Sequence, residues 1–151
     1  MKFKKILCPT DFSDPAAKAL EVAAAMAGDY SSELLVVNVV EPIPTVSAAG
    51  RFPLNHLQQY LQEVEKDSTA RLKELVAKAV PAKIKVRPLI VTGQAALQIV
   101  DLAEKKKVDL IVIATHGQTG LKRWVFGSVA ERVLKLTSLP VLVIQTSPKR
   151  R

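Results

Sequence analysis

Apolar positions along this chain fall into two alternating patterns. Short, nearly continuous apolar runs read as strands covered on both faces, and longer stretches with apolar residues three or four apart read as helices. Phe3 to Cys8 ends in an apolar run and breaks at Pro9, which predicts a first strand. Ser13-Asp14-Pro15 then opens a helix. Ser13 or Asp14 can cap it, and Pro15 suits a first turn, where its missing N–H costs nothing. Leu20, Ala23, Ala24 and Ala27 continue at helical spacing, and Gly28 is expected to end the helix. Glu33 to Val40 is a second strand, and Glu41 begins a long connection that reaches about Pro53.

Leu54, Leu57, Leu61, Val64, Leu72, Leu75, Val76 and Ala79 mark one face of the next helix, which Pro81 stops. Ile84 to Val91 alternates partly with Lys85 and Arg87, as an edge strand would. Gly93 turns the chain into a helix with Leu97, Val100 and Ala103 on one face, and Asp109 leads into the strand Leu110 to Ala114. Ser128 starts a last helix with Val129, Val133, Leu134 and Leu136, and Val141 to Ile144 is the fifth strand after Leu139-Pro140. Strands alternating with helices in this way predict an α/β fold with an open parallel sheet, helices on both faces and right-handed crossovers.

Composition narrows the picture without changing it. With 151 residues, 48% of them hydrophobic and 24% charged, the chain suits one ordinary domain over residues 1–147, followed by a dispensable basic tail at 148–151. The apolar run behind the basic N-terminus stops at Pro9, too short for a signal sequence, and no run is long enough for a membrane helix. A soluble, cytoplasmic protein is the expectation. The lone cysteine, Cys8, excludes an intrachain disulfide and a multi-cysteine zinc site, and reads as a small buried hydrophobe. A net charge of +8 favours anionic partners, but the basic residues are scattered and only 5% of residues are aromatic. No specific nucleic acid partner is expected, and Lys105-Lys106-Lys107 reads as a solvated helix end.

Candidate chemistry lies after the first and fourth strands. Ligands of open parallel sheets bind beyond the carboxyl ends of strands, where strand order reverses. Pro9-Thr10-Asp11 follows the first strand, and Thr115-His116-Gly117 opens a stretch that reaches Gly127-Ser128 after the fourth. If the two places form one site, these strands are neighbours, which favours the order 3-2-1-4-5 over 2-1-3-4-5. Gly117 and Gly120 permit close backbone approach, and Gly127-Ser128 precedes a helix whose first N–H groups and dipole favour anions. Lys122 and Arg123 are placed to screen phosphate charge. Against this, Ser128-Val129-Ala130-Glu131 reads as a capping box that would satisfy those N–H groups internally. His116 meets phosphate or faces solvent, His56 reads as a surface residue, and Trp124, Val125 and Phe126 read as packing residues. P-loop, G-x-G-x-x-G and G-x-S-x-G motifs are absent, and no evident group activates an attacking water.

The stretch ATHGQTGLKRWVFGS, from Ala114 to Ser128, resembles the nucleotide-binding loop of the universal stress protein family. Lys5-Ile6-Leu7 leading into Pro9-Thr10-Asp11-Phe12-Ser13, the strand Val36-Val37-Asn38-Val39-Val40-Glu41, the run Val108 to Ile113 and the closing Pro140 to Ile144 resemble it in the same order. Its ATP-binding members carry G-x2-G-x9-G-[ST]. Gly117, Gly127 and Ser128 match, and Ala114 stands at the first glycine. The resemblance implies a Rossmann-like, adenine nucleotide alpha hydrolase-like fold and ATP held as a regulatory ligand in the stress response. It places Asp11 at the ribose or adenine side, Pro9 and Thr10 in the wall, Val39 at adenine through its backbone, and Ala114 and Val129 in the lining. Mg²⁺ would ride mainly on the phosphates, with Asp11 or Ser128 in reach. Alternatives are a stress protein acting through protein contacts without ATP, and a slow ATP-hydrolysing or phosphoryl-transfer enzyme. The uncharged fifth strand, at a sheet edge, further predicts a homodimer through that strand, where family members commonly pair.

Overall fold

A computed structural model describes residues 1–42, 54–115 and 127–146. The elements run β1 (Lys5–Pro9), α1 (Asp14–Tyr30), β2 (Glu33–Val40), α2 (Leu54–Ala79), β3 (Val86–Thr92), α3 (Ala95–Lys105), β4 (Leu110–Thr115), α4 (Ser128–Leu136) and β5 (Val141–Gln145). The five strands form one sheet in the order β3-β2-β1-β4-β5. Every pairing is parallel, with Leu7 opposite Leu35 of β2 on one side and Ile111 of β4 on the other. The order inferred from two potential site loops is therefore the observed one.

Strand alternation sorts the core into two layers. Ile6, Cys8, Leu34, Val36, Leu110 and Val112 face the alanine-rich side of α1 and Leu72 and Val76 of α2. Leu7, Leu35, Val37, Ile111 and Ile113 face Ile99 and Val100 of α3 and Ala130 and Val133 of α4. The switch of helices from one face to the other coincides with the reversal between β1 and β4. Cys8 is fully buried, which pushes its thiol up from 9.0 to about 12. His56 is exposed on α2. Among the described residues no helix is long and apolar enough to cross a membrane.

Several boundaries differ from the sequence pattern. β1 starts at Lys5 and takes in Pro9, while Phe3 lies outside it and packs edge-on against Tyr30 at 5.3 Å. α1 runs past Gly28, because Ser31 supplies the left-handed cap (φ 55°) and its N–H reaches the last turn. β3 is displaced toward Thr92, and Ile84 is buried ahead of it. As expected of an edge, β3 carries charge: its Arg87, and Lys85 just ahead of it, lie 3.1 and 3.6 Å from Glu33 of β2. The other edge, β5, is half-buried from Val141 to Ile144 and has no charged residue.

Candidate functional site

A cleft of about 140 Å³ opens beyond the carboxyl ends of the central strands. Its floor is Pro9 and Thr10 at the end of β1, Val37 and Val39 of β2, and Ile113 and Ala114 of β4. Ala95 and Ile99 of α3 form one wall, and Gly127 to Ala130 at the start of α4 form the opposing rim. Asp11 and Ala16 close the side facing α1. Asp11 is the one ionisable side chain among these described lining residues. Beside it, Thr10 and Ser128 bring hydroxyls and the rest of the lining is apolar or glycine, as expected of a small-molecule site with few polar groups that fix orientation.

The β1–α1 turn is tightly bonded. The Thr10 N–H donates to the Val37 carbonyl at 2.8 Å. The buried Asn38 amide donates to the Thr10 carbonyl at 2.9 Å. Phe12 N–H donates to Thr10 Oγ1 (3.1 Å), and Ser13 N–H to Asp11 Oδ1 (3.0 Å). This leaves an open edge on β2. The Val37 carbonyl points toward β1, and backbone groups two residues apart along a strand point to the same side. The carbonyl of Val39 thus points where β1 has already turned away.

Three helices begin at the cleft, and their first turns differ. α1 is capped by Ser13, whose Oγ accepts the Ala16 N–H at 3.3 Å. α3 is capped from a distance by Glu41, whose Oε1 accepts the Ala95 N–H at 2.9 Å. α4 has Gly127 as N-cap, a residue with no side chain to cap it. The expected capping box does not form. Ser128 is the first helical residue rather than the cap, so the S-x-x-E spacing is out of phase. Glu131 instead pairs with Lys135 at 2.9 Å. Gly127, the N-cap of α4, thus brings no side chain of its own to the early N–H groups of that helix, which begins at the cleft rim.

Ala114, the departure from the glycine motif, holds ordinary strand backbone opposite Ile144. It is absent from the left-handed residues, which among the described non-glycines are Phe12, Ser31 and Lys107. Its methyl packs against the α1 and α2 layer of the core. Gly127 has φ −53°, accessible to any residue. Of the ten residues singled out from the sequence, Pro9, Thr10, Asp11, Val39, Ala114, Gly127, Ser128 and Val129 come together around this one cleft. His116 and Gly117 lie outside the described residues, as do Gly120, Lys122, Arg123, Trp124, Val125, Phe126, the stretch 43–53 and the tail 148–151. Sequence reasoning missed Asn38 and Glu41, which touch the site only through backbone groups, and Ala95 and Ile99, which carry no local signal beyond helical spacing.

The chain is 36% identical over 148 residues to the universal stress protein MJ0531 of Methanocaldococcus jannaschii, spanning 98% of this chain and 85% of that one. It is 32% identical over 158 residues to the universal stress protein MJ0577 of the same organism, spanning 95% of each. The solved structure of MJ0577 superposes with a TM-score of 0.82 at 29% identity, covering 99% of this chain and 100% of that one. Two more distant structures share the fold. One is a universal stress protein in complex with cAMP (TM-score 0.63, 20% identity, covering 97% and 100% of the two chains). The other is the Archaeoglobus fulgidus protein in complex with dAMP (TM-score 0.64, 21% identity, covering 95% and 98%). The sequence profile of the universal stress protein family matches residues 2–145, and this chain belongs to that family.

Proposed function

We propose that the cleft binds an adenine nucleotide, ATP, as a regulatory ligand in the stress response. The observation that carries this reading is the meeting, in one cleft, of an apolar slot with the start of α4, whose N-cap is a glycine. An aromatic base fits between Val39 and the α3 wall of Ala95 and Ile99. The outward carbonyl of Val39 accepts a base amine, which adenine supplies where guanine presents an oxygen. Asp11 accepts hydroxyl protons of the ribose. The phosphates meet the first N–H groups of α4 and the Ser128 hydroxyl, where the helix dipole favours anions. The cAMP and dAMP complexes within the family support the class of ligand.

Among the described residues no group of three or more His, Cys, Asp or Glu side chains could hold a metal ion. Mg²⁺ would ride mainly on the phosphates, with Asp11 and Ser128 as the nearby oxygens of this chain. The reading is of nucleotide held as a regulatory ligand, with Asp11 as the ionisable side chain of the described lining. The same reading includes a homodimer through β5, because of the two sheet edges it is the one without a charged residue, whereas β3 carries Arg87.

The test is to denature the purified protein, identify any nucleotide released, and titrate nucleotide-free protein with ATP and GTP by calorimetry. ATP should bind about tenfold or more tightly than GTP, the worth of one well-placed hydrogen bond against an unmatched one. Protein that releases no nucleotide and gives no heat with ATP would refute the proposal.

A further inference from the structure

The turn that presents Asp11 to the cleft contains a backbone conformation that its residue disfavours. Phe12 has φ 65°, in the left-handed region where a bulky L-residue is rare. Such a geometry persists only where its surroundings hold it. The turn hydrogen bonds of Thr10 and Asp11 act on the backbone and leave the Phe12 ring unplaced. The ring is half-buried against the α1 and α2 layer, and the guanidinium of Arg71, on α2, lies 4.3 Å from its centroid. Arg71 does not line the cleft. A glycine at position 12 would adopt this turn without strain and without a partner. With phenylalanine there, the shape of the turn is tied to α2.

We infer that Arg71 is a positioning residue for nucleotide binding: stacked on Phe12, it holds the left-handed turn that sets Asp11 at the cleft. This rests on the adenine-nucleotide reading above. Arg71 acts through Phe12 and does not touch the ligand. Its removal should lower affinity only while residue 12 needs holding.

A four-protein cycle measured by ATP calorimetry tests this, using the unmodified chain, Arg71→Ala, Phe12→Gly and the double variant. Melting temperatures measured alongside separate affinity from stability. Arg71→Ala should weaken ATP binding about three- to tenfold, with little change in melting temperature, because its side chain is exposed. In the Phe12→Gly background the same substitution should change affinity less than about twofold, since glycine holds the turn unaided. Arg71→Lys keeps a cation over the ring and should recover part of the loss. An Arg71→Ala protein that binds ATP like the unmodified chain overturns the inference. So does an equal loss in both backgrounds, which would mean that Arg71 acts on the ligand by another route. An unmodified chain that binds no ATP overturns the functional reading and this inference with it. A flat cycle in a chain that binds ATP overturns the inference alone.

Discussion

Asn38→Ala removes a buried polar contact at the root of the site. Asn38 is 7% exposed and Thr10 is 5% exposed, so neither meets bulk water freely. The amide Nδ2 lies 2.9 Å from the Thr10 carbonyl, the last carbonyl of the chain before the turn that carries Asp11. Truncation leaves that carbonyl buried without the amide, at about 1–3 kcal/mol. A change of about 2 kcal/mol in a domain of this size corresponds to about 4–8 °C in melting temperature. Urea unfolding followed by circular dichroism should show a lower midpoint with an unchanged slope, because the surface exposed on unfolding is nearly the same. Asn38→Leu separates volume from hydrogen bonding, since it has similar bulk and no donor. If the bond is what matters, the leucine variant remains destabilised by a similar amount. A leucine variant as stable as the unmodified protein would refute the reasoning and assign the whole effect to packing.

Cys8 makes a prediction at alkaline pH. Its folded pKa is raised from 9.0 to about 12, so stability is unaffected below pH 9 and falls as pH rises through this window. The slope is about 1.4 kcal/mol per pH unit, because the unfolded thiol ionises first. Cys8→Ala should remove that component, and a thiol reagent at pH 8 should label native protein only as fast as it unfolds; rapid labelling would contradict the burial. Asp11→Ala should weaken nucleotide binding about tenfold or more with only a small drop in melting temperature, since the side chain is exposed at the rim. A large drop in melting temperature with unchanged affinity would make its role structural. Val143→Glu places a charge on the β5 edge and should shift a dimer toward monomer or precipitate it, as read by light scattering. A monomer for the unmodified chain at high concentration would refute pairing through β5.

The fold was legible because its signals are local and repeated. Uninterrupted apolar runs mark strands covered on both faces, and apolar residues at helical spacing mark the layers that cover them. Even the strand order could be read, since two unusual loops had to meet. Failures occurred where a local pattern had competitors. Ser128-Val129-Ala130-Glu131 fits a capping box, but helix α4 begins one residue earlier than that pattern requires, and Glu131 has Lys135 one turn ahead. Gly28 is a plausible stop, yet a glycine in a last turn costs only about 1 kcal/mol, and Ser31 takes the left-handed position instead. The supporting contacts were not legible at all. Asn38 reaches Thr10 from a neighbouring strand, Glu41 reaches Ala95 across 54 residues, and Arg71 reaches Phe12 from another helix. No sequence spacing encodes contacts that exist only once the sheet has formed.

The floor of the cleft grows out of β1, where Ile6, Leu7 and Cys8 are wholly buried and strands pair on both sides. Amide protons in such a place exchange with solvent only when the whole molecule opens, whereas those of the turn at Asp11 and the start of α4 can exchange through local opening. The two regions therefore keep different clocks. A ligand that binds only the folded state slows the β1 clock by the factor 1 + [L]/Kd wherever it sits, about a hundredfold at a hundred times Kd. The rim clock also senses where the ligand lies. Deuterium uptake at β1 would thus measure affinity, and its comparison with the rim would map the bound site, from one experiment on the unmodified chain.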